Sequence, residues 1–116
     1  MRLYFARHGE SEANVQQVFW NGPQGYGLTA RGRAQAGQLA DRLHDISFAA
    51  LYGSPVLRAR QTAQILSHRL GLPYQVHDGL REYNVGILEG RPYDEEAWQI
   101  YGAVNARWAE DRDYAA

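Results

Sequence analysis

Residues 2–14 read RLYFARHGESEAN, and the turn at Arg7-His8-Gly9-Glu10 decides how the rest is read. The run RLYFA is β-prone and stops at that turn, so a first strand over 2–6 is expected to carry Arg7 and His8 at its C-terminal end. An arginine beside a histidine that can itself take up a proton is repulsive unless an anion sits between them. Open α/β sheets bind ligands beyond the carboxyl ends of their strands, where this pair is expected. The stretch asks for a negatively charged partner.

Bulk composition limits that partner. The 116 residues, 45% apolar, suit one domain over 1–116 with a modest core. All 12 basic residues are arginine and the formal net charge is -1. No lysine-rich face exists for non-specific nucleic-acid binding, so the anion is expected to be small: a phosphorylated metabolite or phosphate, and no nucleic acid. Without lysine there is neither a Schiff-base nucleophile nor a P-loop G-x-x-x-x-G-K-[ST]. Without cysteine there are no disulfides, no thiol catalysis and no Cys-based metal site. No signal-like or membrane-spanning apolar run is present, so no membrane contact and a cytoplasmic location are expected.

Periodicity gives the remaining elements. Residues 16–28 are rich in Gly, Gln and Asn and read as an irregular loop. Thr29 is a suitable N-cap, and Ala36, Leu39, Ala40, Leu43 and Ile46 follow helical spacing, predicting an amphipathic helix over about 30–45. FAALYG (48–53) reads as a second strand. Ser54-Pro55 reads as a helix start with Ser as N-cap, and Ala59, Ala63, Leu66 and Leu70 form that helix's buried stripe up to Gly71. PYQVH (73–77) is a third strand candidate, and a last helix is expected from Asp94 to about Glu110. Alternating strands and helices imply a three-layer α/β/α sandwich with a mainly parallel sheet.

Arg58 falls in the first turn of the helix after Pro55, near unpaired backbone N–H groups and the positive end of the helix dipole. Two planar guanidinium groups, Arg7 and Arg58, would make a phosphate clamp. A neutral His8 beside the bound phosphorus would be a competent nucleophile. Glu82, after the third strand, could reach the same crevice as the proton donor to the leaving oxygen, with Glu89 a nearby competitor for that role.

Four stretches in order, RHGESEAN (7–14), GLTARGRAQA (27–36), SPVLRARQTA (54–63) and LREYNVGILEG (80–90), resemble the histidine phosphatase superfamily, also called phosphoglycerate-mutase-like. The resemblance implies that His8 is the phosphorylated nucleophile, that Arg7 and Arg58 bind the phosphoryl group, and that Glu82 is the acid/base. It further implies that Asn14 contacts phosphate or substrate and that Gly22 and Thr29 line the entrance. No metal or other cofactor is expected, because two arginines neutralise the phosphoryl charge.

Two departures shape the expectation. Gly25 and Gly27 stand where the family often has Asp and Pro, which is expected to loosen that loop. The family also carries a second active-site histidine in a downstream strand ending H-G, and this chain reaches Ala116 without one, as if truncated at its C-terminal end. His44, His68 and His77 lie upstream and read as structural. Around Glu82 the text differs from the mutase-type R-H-Y-G-G-L, so a phosphomonoester hydrolase acting through phosphohistidine is expected ahead of a mutase-type phosphotransferase. The alternative is a catalytically weak phosphate-binding fragment that self-associates as a homo-oligomer through an uncovered sheet edge. The Trp and Tyr residues at 98–108 read as core or interface rather than as a ligand box.

Overall fold

A computed structural model describes residues 1–82 and 85–110; Tyr83 and Asn84, inside the last of the four motifs, and residues 111–116 lie outside it. In chain order it contains α1 (Glu12–Gln16), α2 (Ala30–Leu43), β1 (Leu51–Gly53), α3 (Leu57–Leu70), β2 (Tyr74–Val76) and α4 (Glu95–Glu110), with short 3-10 turns at Asp78–Leu80 and Gly86–Leu88. The architecture is α/β: β1 and β2 pair in parallel through the α3 crossover, with Leu51, Tyr52 and Gly53 opposite Tyr74, Gln75 and Val76.

The two long helices form for the reasons written in their ends. The Thr29 side chain accepts from the Gly32 backbone N–H and starts α2, while Gly71, at φ 64°, ends α3 in the left-handed conformation that glycine adopts without strain. The facing surfaces are built of small groups. α2 buries Gly32, Ala36, Gly37 and Ala40, and α3 buries Thr62, Ala63 and Leu66, which lets the helices lie close. β1 lies directly on α3, since a Cβ on Gly53 would sit 3.2 Å from that of Ala63.

A second cluster joins the loop after α1 to the C-terminal part. Phe19, Val85, Leu88 and Ala97 are buried together, with Ile100 and Tyr101 packed against them. Backbone bonds stitch the two segments: Phe19 N–H donates to the Arg91 carbonyl, and Gly90 N–H to the Phe19 carbonyl (2.9 and 2.7 Å).

Three sequence expectations are corrected. Residues 2–6 form no strand, because they pair with no strand among the described residues. Leu3 and Phe5 are 68% and 87% exposed, and Tyr4 finds only the edge of Phe48. α3 starts at Leu57 with Val56 as N-cap, so Ser54-Pro55 precedes the helix; the Ser54 hydroxyl accepts instead from Val56 N–H. Helix α1 was not expected. A capping box creates it: Ser11 accepts from Asn14 N–H, and the Asn14 side chain accepts from Ser11 N–H.

Candidate active site

The His8 turn is placed by two glycines. A Cβ on Gly9 would lie 2.3 Å from the Gly32 carbonyl oxygen, and one on Gly32 would lie 2.0 Å from the Glu10 carbonyl oxygen. The backbone of residues 9–10 therefore rests on the first turn of α2 with no room for side chains between them. From the other side, Thr62 of α3 accepts from Gly9 N–H (3.1 Å) and donates to the Arg58 carbonyl (2.8 Å). Glu10 N–H donates to Gln35, and Thr29 N–H to the Glu10 carbonyl.

Held this way, the His8 ring has a defined tautomer. Nδ1 lies 2.6 Å from the Gly9 carbonyl oxygen, an acceptor, so Nδ1 carries the proton. Nε2 lies 3.1 Å from Arg58 Nε, an obligate donor, so Nε2 presents its lone pair. Burial pushes the imidazole below its ordinary pKa. Arg58 and Arg7 push the same way, against the Gly9 carbonyl and Glu82. The ring is thus held neutral, with one nitrogen available as a nucleophile.

Arg58 is 6% exposed and uses three of its five N–H groups on protein acceptors: His8 Nε2, the Trp20 carbonyl (2.6 Å) and Asn21 Oδ1 (2.8 Å). Burial lowers its pKa from the ordinary value, opposed by Glu82, Tyr93 and Glu89. Arginine nevertheless stays cationic.

A cavity of about 180 Å³ opens at this point, and Arg7, His8, Asn14, Arg58 and Glu82 all border it. Of the residues singled out from sequence, Gly22 lies next to it rather than in it, in the loop whose Trp20 and Asn21 hold Arg58. Thr29 does not border it: its hydroxyl caps α2 and donates to the Glu10 carboxylate at 2.9 Å. Asn14 has its side-chain oxygen committed to Ser11, which leaves the amide N–H₂ as its donor toward an anion. His77 accepts from Gly79 N–H and His44 contacts the Asp41 carbonyl, both away from the cavity.

Sequence reasoning missed three kinds of residue here. Tyr93, for which the sequence offered no role, borders the cavity together with Trp98 and Tyr101, so part of the 98–108 aromatic cluster read as core or interface also forms a wall of the site; Trp98 packs on Phe19 and Tyr93 and is still half exposed. Asn21 and the Trp20 carbonyl aim Arg58 from a loop with no periodicity to reveal it. Thr62, four residues after Arg58, carried a signal in hindsight: a polar residue at i+4 on the buried helix face points where Arg58 does.

Known proteins resemble this chain along nearly all of its length. The family model of the histidine phosphatase superfamily (branch 1) matches residues 3–116. "Probable phosphoglycerate mutase GpmB" of Escherichia coli is 33% identical over 118 aligned positions, covering 95% of this chain and 54% of that protein. The chain therefore spans about half the length of the curated relatives it matches. A mycobacterial glucosyl-3-phosphoglycerate phosphatase, solved with VO3, superposes with a TM-score of 0.74 at 30% identity, over 93% of this chain and 53% of that one. The α-ribazole phosphatase of Shigella flexneri gives 0.70 at 32% identity, over 93% and 52%. The expected α/β/α class with a parallel sheet is the fold of these structures. With three of its four motifs bordering one cavity around His8 and the second seating the turn that carries it, and with that match over nearly its whole length, the chain belongs to the histidine phosphatase superfamily, branch 1.

Proposed function

We propose that the chain hydrolyses small phosphomonoesters through a phosphohistidine on His8, with Arg7 and Arg58 as the phosphate clamp, Asn14 as a further donor and Glu82 as acid/base. The observation that carries this reading is the His8 ring, fixed by the Gly9 carbonyl on Nδ1 and facing a buried guanidinium on Nε2. An incoming phosphoryl group takes over Arg58 N–H groups that now end on His8 and the 20–21 loop, and so uncaps the Nε2 lone pair. The lone pair forms the N–P bond as the P–O bond to the leaving group breaks, and the Glu82 carboxyl gives its proton to the departing oxygen. Water then attacks phosphorus, the Glu82 carboxylate takes a proton from it, and the N–P bond breaks to release phosphate. No metal or cofactor takes part in these steps. Relatives named as phosphatases and as a phosphoglycerate mutase both resemble this chain; the text around Glu82 favours hydrolysis over mutase-type transfer.

The test is to incubate the chain with p-nitrophenyl phosphate in EDTA, follow nitrophenolate release, and quench for an acid-labile phosphoenzyme. Label on His8, absent from His8→Ala, is the expected result. Turnover that leaves no label on His8, or that requires added magnesium, would overturn it.

A second reading, a weak phosphate-binding chain that self-associates, is favoured by exposed Leu3, Phe5, Val76 and Leu80 and by a cavity of about 590 Å³ beside residues 5–10. Light scattering on the same sample decides it: a monomer that turns over at many per second contradicts it.

A further inference from the structure

Glu89 competed in sequence with Glu82 for the role of acid, and its surroundings exclude it from that role. Its Oε1 accepts from two successive backbone N–H groups, those of Asn21 (2.8 Å) and Gly22 (2.7 Å). Its Oε2 is buried and has no hydrogen-bond partner among the described residues. Glu89 also does not border the 180 Å³ cavity. A carboxylate buried in this way is costly unless it is compensated, and two charge-assisted N–H bonds to one oxygen are its compensation.

The loop that Glu89 grips has a second face. Trp20 and Asn21 present to Arg58 the carbonyl and side-chain oxygens on which both terminal guanidinium nitrogens end, while Nε reaches His8. The loop is tight where Glu89 holds it: a Cβ on Gly22 would lie 3.2 Å from Oε1 and 3.3 Å from the Trp20 ring. Behind it, the bonds between Phe19 and residues 90–91 keep Glu89 in register with residues 20–22.

From this chain of contacts we infer that Glu89 is a positioning residue: by fixing the backbone of Asn21 and Gly22 it orients the Arg58 guanidinium onto His8 Nε2 and onto the anion that replaces that contact. The inference rests on the reading of His8 and Arg58 as the anion site. Geometry rather than charge does the work, because the carboxylate acts through the position of two amides. Glutamine, which keeps an oxygen in the same place, therefore substitutes for it, and aspartate, which keeps the charge but withdraws the oxygen, does not.

The experiment measures two things in the full 116-residue chain: the NMR titration of the His8 imidazole and the Kd for inorganic phosphate. Wild type is compared with Glu89→Gln, Glu89→Asp and Glu89→Ala, and with Asp41→Ala, which breaks only the surface ion pair to Arg69. Glu89→Gln and Asp41→Ala are expected to match wild type in both readouts. Glu89→Asp and Glu89→Ala are expected to weaken phosphate binding roughly tenfold or more and to move the His8 titration upward, as the guanidinium leaves Nε2. Should Glu89→Ala not fold, the Gln and Asp pair decides. Aspartate behaving as wild type while glutamine fails would make the effect one of charge and overturn the inference, as would no change in any variant. If wild type binds no phosphate, the anion-site reading fails, and the His8 titrations alone still decide whether Glu89 aims Arg58.

Discussion

The two arginines beside His8 are held in opposite ways. Arg58 sits in the first turn of α3, is buried, and ends on three protein acceptors. Arg7 is exposed at the end of a segment that pairs with no strand, and it makes no hydrogen bond among the described residues. Glu82 is exposed on the same cavity, likewise without a hydrogen bond among them. One half of the site is thus preorganised and the other is only nearby. Preorganisation follows from what each residue is anchored to: a helix satisfies its own backbone, whereas a strand needs a neighbour to satisfy its own.

The largest effect should come from breaking the ordered half. His8→Ala is expected to abolish phosphoenzyme formation. Arg58→Ala is expected to cost on the order of 10²–10³ in turnover, because it removes a fixed cation from the developing charge. It also leaves the Trp20 carbonyl and Asn21 side chain without that donor. Arg7→Ala, read by the same phosphoenzyme quench, should cost less, since its guanidinium must be ordered at binding. Equal losses from the two arginine variants would erase the contrast.

Next is the close approach that seats the turn. Gly32→Ala places a methyl group 2.0 Å from the Glu10 carbonyl oxygen, a contact that backbone must move to relieve. A destabilisation of about 1–3 kcal/mol is expected in urea unfolding, with loss of phosphate binding in whatever remains folded. Gly102→Ala, on a helix surface with nothing within 4 Å, is the control and should be neutral or slightly stabilising.

Thr62→Val keeps the shape but removes the acceptor for Gly9 N–H and the donor to the Arg58 carbonyl. Leaving a buried N–H unpaired should cost about 1–3 kcal/mol, and Thr62→Ser should recover most of it. A valine variant as stable as wild type would mean that water replaces the hydroxyl.

The smallest expected effect is the pH dependence of stability due to His8. Its folded pKa lies below the ordinary 6.5, so the folded state binds the proton less readily than the unfolded one. The sign follows: this contribution is fully present above about 6.5 and is lost as pH falls below it toward the folded value. The unfolding midpoint should drop over that interval, and His8→Gln should drop less. The opposite ordering would mean that His8 is charged in the folded chain and that Arg58 does not face it.

Much of this was legible in the chain itself. Thr29 and Gly71 marked the ends of α2 and α3 because caps are local chemistry, and Arg7, His8, Arg58 and Glu82, singled out as groups suited to an anion, all border one cavity. The capping box at Ser11 was local too, and it was hidden only because its helix is five residues long. What sequence could not supply was contact at a distance. Nothing in Gly9 and Gly32 announces that their backbones touch, nor in Glu89 that it grips Asn21 and Gly22, which lie 68 and 67 residues away. Nor could β-propensity decide residues 2–6, since a strand exists only with a partner to receive its hydrogen bonds. Local propensity fixed the helices and the inventory of the site; tertiary packing alone decided which guanidinium is pinned to the histidine, because burial and long-range hydrogen bonds belong to the folded arrangement and to no segment of it.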